Sequence, residues 1–201
     1  MTPPLLHVIG IDPGETTGWC RLTIPRDSMY DDEPGRIEEW DYGEFLGPDI
    51  SQVIEICRLV RETQGLDFAV GPAVVCEDFD LMHENPTTDP VLLTPVRIAS
   101  MLQYAQFRGD MGPDSLVTLQ GRTVAKETAT DDRLRHYGLY VKGSDHIRDA
   151  TRHAWVAIRR AKQSEDVRAA MWADPTRPRA GRVKPFTALA NGLLAAARER
   201  Q

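Results

Sequence analysis

The chain has 201 residues, 41% of them hydrophobic and 27% charged, with a net charge of −6. That is the composition of one globular domain, or one domain with an appendage, large enough to bury a core without disulfide or metal staples. Its apolar runs are strand-sized, well short of the roughly 20 residues a membrane helix needs.

The start, MTPPLLHVIGID, lacks the basic flank and cleavable apolar segment of a signal peptide. Cys20, Cys57 and Cys76 lie far apart with no metal-ligand spacing, which predicts buried reduced thiols and a cytoplasmic protein.

Leu5 to Ile11 (LLHVIGI) is a nearly continuous apolar run and predicts a strand buried on both faces. PGETTG predicts a turn, and Trp19 to Ile24 a second strand pairing with the first as a hairpin. Pro25 to Pro34 reads as a polar, acidic loop. Gly35 to Phe45 reads as a third strand with Ile37, Trp40 and Tyr42 as packing residues. A helix follows, capped by Ser51 or Asp49, with Val53, Ile54, Cys57 and Val60 on its apolar stripe and Gly65 closing it.

Phe68 to Cys76 predicts another buried strand that delivers Glu77 to its end, followed by a long acidic loop, Asp78 to Pro90. Thr94 and Pro95 start the next helix with proline at its first position. Its stripe is Ile98, Met101, Leu102 and Ala105, and Gly109 ends it. Ser115 to Leu119 reads as a short strand and Thr130 to Tyr137 as a short helix. Ser144 caps a stronger helix, Asp145 to about Ala161, with an alanine stripe at Ala150, Ala154 and Ala157. Asp174 to Pro185 is rich in proline and arginine and is expected to be extended or mobile. Thr187 to Arg198 can form a last amphipathic helix on Leu189, Leu193 and Leu194. The order is mixed α/β.

The charge is unevenly spread. Arg148 to Gln201 carries 12 lysines and arginines against 5 acids, or +7, and the rest of the chain carries −13. An acidic body with a basic last quarter points to a polyanionic partner.

Three segments carry chemistry. Asp12 ends the first apolar strand and is followed by Pro13 and Gly14. That position suits a site at a sheet edge better than it suits solubility, and Gly14 and Gly18 let the backbone turn sharply and a phosphate approach. Glu77 repeats the pattern, with Asp78 and Asp80 beyond it. If the two strands are neighbours, two close carboxylates repel unless a cation lies between them, and hard oxygen ligands favour Mg²⁺ or Mn²⁺. In SDHIRDATRHAW, His146 and Asp149 are three residues apart and share a helix face. Asp149 and His153 are four apart, and the expectation for His153 is packing or solvent exposure. Asp145, next to His146, is turned about 100° around the helix.

VIGIDPGETTGW, VVCED on a later strand and HIRDA on a late helix together resemble the RuvC-type Holliday junction resolvases of the ribonuclease H-like superfamily. Order, strand contexts and spacing agree over about residues 5 to 160, and the longer loops and basic tail resemble the phage-borne branch. The resemblance implies an α/β ribonuclease H-like fold, a mixed five-stranded sheet flanked by helices. It implies a nuclease domain over residues 1–162 and a basic extension over 163–201. It makes Asp12, Glu77 and Asp149 metal-binding carboxylates, with Asp12 bridging two Mg²⁺ ions, for which Mn²⁺ can substitute. His146 falls where many relatives carry Asp and some carry His, as metal ligand or proton donor. Lys126 resembles a family lysine near the scissile phosphate. Phe79 stands two residues past the glutamate, whereas the family's junction-wedging aromatic stands three past, so packing is an equal expectation for it. Arg122, Lys126, Lys142, Arg148 and Arg152, with the basic tail, are expected to hold the phosphate backbone.

The implied activity is Mg²⁺-dependent hydrolysis of phosphodiesters in four-way junctions and other branched DNA, by paired nicks with 5′-phosphate products. It would serve recombination and repair in a bacterial or phage-infected cytoplasm. Two symmetric nicks imply a homodimer, with the helix from Pro95 to Arg108 as the expected contact. Three alternatives stand beside this reading. One is a ribonuclease H-like nuclease acting on flaps or RNA–DNA hybrid. Another is a non-catalytic junction-binding protein, which the three acids disfavour. The last is an ATPase of the actin and sugar-kinase type, which needs a second subdomain that this length does not provide.

Overall fold

The computed structural model describes residues 5–30, 36–65, 70–79, 90–112 and 115–172. The hairpin forms as expected, from β1 (Leu5–Asp12) and β2 (Thr16–Pro25), with Asp12 opposite Gly18. β3 (Glu39–Leu46) adds antiparallel to β2. β4 (Ala73–Asp78) and β5 (Leu116–Gly121) continue the sheet in parallel on the other side of β1. The order is β3-β2-β1-β4-β5.

The period-two alternation of β1 sorts two cores. Leu6 and Val8 face one layer, built on α4 (Asp131–His136), α5 (Asp145–Gln163) and α6 (Glu165–Met171). Ile9 and Ile11 face the other, built on α1 (Asp49–Gln64) and α2 (Pro90–Arg108). In β4, Ala73 and Val75 face the first layer and Val74 and Cys76 the second. Alternation therefore assigns Asp12 and Glu77, the next residues of like parity, to the α5 face. All three cysteines are buried and free, and burial pushes the Cys20 thiol up to about 12.

Two glycines let α5 lie directly on the sheet. A Cβ on Gly10 would stand 2.0 Å from the Ala150 carbonyl oxygen, and one on Gly18 would stand 2.2 Å from the His146 carbonyl carbon. With the alanine stripe above them, they bring the helix backbone against β1 and β2. Ser144 caps α5 as expected, its Oγ accepting from the Ile147 N–H at 3.1 Å.

Several local expectations are corrected. α1 begins after Pro48, and neither Asp49 nor Ser51 caps it; the Asp49 carboxylate instead accepts from Arg97 of α2. Ile54 points to solvent, because the buried stripe runs through Val53, Ile56, Cys57 and Val60. α2 starts at Pro90, which leaves Pro95 inside the helix. β3 starts at Glu39, leaving 36–38 outside the strand, and Gly35 lies outside the described residues. In β3 Trp40 packs on the core while Tyr42 leans on Trp40 and stays exposed. β4 starts at Ala73, and Phe68 lies outside the described residues. The loop expected from Pro25 holds a 3-10 helix, Asp27–Tyr30, that buries Met29. α3 (Arg122–Thr128) was not expected, and neither was α6. α6 and Trp172, beyond the expected boundary at 162, pack into the α5-side core. The Trp172 indole N–H donates to the His7 carbonyl at 3.1 Å. The segments Asp174 to Pro185 and Thr187 to Arg198 lie outside the described residues.

Candidate active site

The ends of three neighbouring strands supply the floor of the site. β1 and β4 are in register with Ile11 opposite Cys76, so Asp12 and Glu77 follow side by side; Glu77 in turn pairs with Gln120 of β5. α5 crosses above this row. His146 lies over Gly18, and Asp149 one turn on is directed at the same place. Asp12, Glu77 and Asp149 are all buried, and each offers a carboxylate oxygen within 4.8 Å of the others.

Three buried acids this close need positive charge, and the protein supplies some. Lys126 of α3 places its Nζ 2.8 Å from Asp149 Oδ2, and Arg152 donates to Asp149 Oδ1. Burial pushes the Asp149 carboxyl up, but these two cations outweigh it and hold the group below the ordinary 3.8. Asp12 has less help. Burial raises it, Glu77 and Asp149 push the same way, and the hydrogen bond to His146 only partly opposes them. His146 Nδ1 stands 2.8 Å from Asp12 Oδ2. That bond raises the imidazole above 6.5 against the opposing effect of its partial burial.

The donor set fits a hard divalent cation: three carboxylates on rigid elements, no thiolate among them, and a mutual repulsion at Asp12 that His146 only partly offsets.

The remaining sequence-predicted residues divide by surroundings. Arg122 opens α3 with a mostly exposed guanidinium 3.9 Å from Glu77 Oε1, and Lys142 is exposed in the turn before α5. Arg148 and Arg152 are bound up within the fold. Arg148 donates to the Val141 carbonyl, pairs with Asp145 and faces the Tyr140 ring. Arg152 joins Asp149, Asp131 and the Ala129 carbonyl. Asp145 is turned outward, as its helical position requires, and takes no part in the cluster. Phe79 is half-buried just past β4, and Asp80 lies outside the described residues.

The structure also brings in His153, for which packing or solvent exposure is the sequence expectation, and Gln120, which the sequence does not single out. His153 is 1% exposed, with Nε2 3.0 Å from Glu77 Oε2 and Nδ1 3.0 Å from Gln120 Oε1. Its signal was the spacing of four from Asp149. That spacing gives the shared face but not the strand the face meets.

No protein-family model and no curated protein matches the chain. Solved structures do. Thermus thermophilus RuvC superposes with a TM-score of 0.53 at 18% identity, covering 79% of this chain and 96% of RuvC. The same RuvC in complex with a Holliday junction substrate gives 0.52 over the same coverage. The chain has the ribonuclease H-like fold of RuvC. The yeast mitochondrial Holliday junction resolvase Ydc2 superposes more loosely, with a TM-score of 0.49 and 14% identity over 85% of each chain. Among the described residues, no helix is long and apolar enough to cross a membrane.

Proposed function

We propose that this protein is a divalent-metal-dependent, structure-selective DNA endonuclease that resolves four-way junctions and cuts other branched DNA by paired phosphodiester hydrolysis. One observation carries the reading. Three carboxylates from β1, β4 and α5 converge within 4.8 Å in the fold of RuvC, a protein whose structure with Holliday junction substrate is among the matches.

Asp12, Glu77 and Asp149 would hold the cations, Mg²⁺ with Mn²⁺ as substitute. When bound, the cations activate water and offset the negative charge that hydrolysis builds on the phosphate and leaving oxygens. The chain's own groups complete the chemistry. His146, kept protonated to higher pH by Asp12, is placed to give a proton to the leaving oxygen or to hold Asp12 in orientation. Lys126 neutralises Asp149 and can turn to a phosphate of the substrate. Arg122 and Lys142, both exposed, contact the backbone and position it without reading sequence.

The paired cuts call for two sites, and we place a homodimer contact on the α1–α2 face, where Ile50, Ile54 and Tyr104 are exposed along one groove. The same carboxylates would serve a nuclease of flaps or RNA–DNA hybrid. Competition among labelled junction, flap, hybrid and linear duplex with Mg²⁺ separates the readings. Preferential, symmetric cutting of the junction supports the proposal, and preference for hybrid or flap replaces it with the second reading.

A further inference from the structure

His153 is the most deeply buried polar side chain at the site, and the nuclease reading gives it no task. It stands on α5 one turn past Asp149, where its ring reaches Glu77 of β4 and Gln120 of β5. Its ring is held at both ends, by Glu77 Oε2 at Nε2 and Gln120 Oε1 at Nδ1, each at 3.0 Å. Gln120 pairs with Glu77 across the parallel ladder and is itself buried. The three side chains therefore form a closed line from β5 through α5 to β4, each no more than 5% exposed. A carboxylate has two oxygens, and with Oε2 engaged by a fixed ring, Glu77 loses its freedom to rotate and presents Oε1.

We propose that His153 is a positioning residue for Glu77: anchored by Gln120, it takes Oε2 and commits Oε1 to the divalent cation. The inference rests on the metal-dependent reading above and adds an outer-shell orienting group to it. Outer-shell partners of this kind set ligand direction, and their loss commonly weakens metal affinity by about 10- to 100-fold. A histidine that merely filled core space would be replaceable by a side chain of similar volume without effect on the metal.

The test is Mn²⁺ binding to the full chain, followed by electron paramagnetic resonance without DNA, alongside the melting temperature in EDTA. His153→Leu keeps volume and removes both hydrogen bonds. It is expected to weaken Mn²⁺ binding about 10- to 100-fold. His153→Gln, which can still reach one partner, is expected to recover part of that loss. Gln120→Leu leaves the ring in place but unanchored and is expected to give a smaller loss in the same direction; it also serves if His153→Leu fails to fold. Wild-type Mn²⁺ affinity in a folded His153→Leu or, failing that, in Gln120→Leu would overturn the positioning role and leave the metal site standing. A wild-type protein that binds no Mn²⁺ would overturn the metal reading itself, and this inference with it.

Discussion

At the scale of single residues, the site is a cluster of negative charge that the fold only partly neutralises. Asp12 is the residue left most exposed to that repulsion, because its partner is a histidine rather than a lysine or arginine. A raised folded-state pKa means the apo fold binds this proton more tightly than the unfolded chain does. Its contribution to stability is therefore favourable at low pH and lost as pH rises from 3.8 through the folded value. His146, also raised, contributes stability that is complete below 6.5 and lost as pH rises through its folded value. Two outcomes follow for Asp12→Asn. In EDTA at neutral pH its melting temperature exceeds that of the wild type, since a buried charge has been removed. Added Mg²⁺ raises the wild-type melting temperature by mass action and leaves that of the variant nearly unchanged. Thermal melts with and without the ion check both. Wild-type Mn²⁺ affinity should likewise fall as pH drops through the raised Asp12 value, because the carboxyl must release its proton to bind.

The three acids were legible in the sequence because each stands where an apolar run or an alanine-striped helix stops being explained by burial alone. Their motif spacing carried the rest. Arg148 and Arg152 were expected on phosphates, and the structure instead ties them to carbonyls and to Asp145, Asp149 and Asp131. Charge along a chain does not say which neighbour a side chain will meet after folding.

At the scale of elements, everything depends on how closely α5 approaches the sheet. Gly10 and Gly18 set that distance, and their role was only half visible: the sequence marks Gly18 as a turn and phosphate residue and Gly10 as part of an apolar run, whereas the structure uses both as the floor beneath α5. Gly10→Ala should cost about 1–3 kcal/mol by overpacking, since the atom it meets is backbone and cannot swing away. Gly18→Ala should do the same and also displace His146, lowering cleavage more than Gly10→Ala does; urea unfolding and turnover on one preparation separate the two effects. The missed elements have local causes. α3 is a seven-residue segment, RTVAKET, whose threonines and valine are poor helix formers, so it depends on packing rather than propensity. Pro95 mimics a helix start, and the true start, at Pro90, carries the same signal five residues earlier.

At the scale of the whole molecule, α6 and Trp172 close the core from the end of the sheet remote from the site. Trp172 bonds the carbonyl of His7, five residues before Asp12 and so about 17 Å away along β1. A chain ending at 162 should therefore be less stable than one ending at 172 by at least the roughly 3–5 kcal/mol typical of losing a buried tryptophan, as denaturant midpoints would register. Residues 173–201 hold half of the 12 basic residues in the last quarter. Removing them should weaken junction binding and flatten its salt dependence, by about 0.9 in slope for each phosphate no longer neutralised, while leaving Mn²⁺ affinity unchanged. The acidic body, which at first argues against a DNA partner, includes two of the three acids the proposed chemistry requires, Asp12 and Glu77, and the third, Asp149, stands at the start of the basic quarter.

The central claim is that Asp12, Glu77 and Asp149 form one metal centre that cuts branched DNA. The most direct test is cleavage of a synthetic four-way junction, each strand labelled in turn, by wild type and Asp12→Asn with and without Mg²⁺. The account predicts paired, symmetric nicks by the wild type only with the ion, and a loss in the variant beyond the roughly 100-fold upper end for an outer-shell change. Cutting by Asp12→Asn at the wild-type rate, or wild-type cutting unaffected by EDTA, would contradict it.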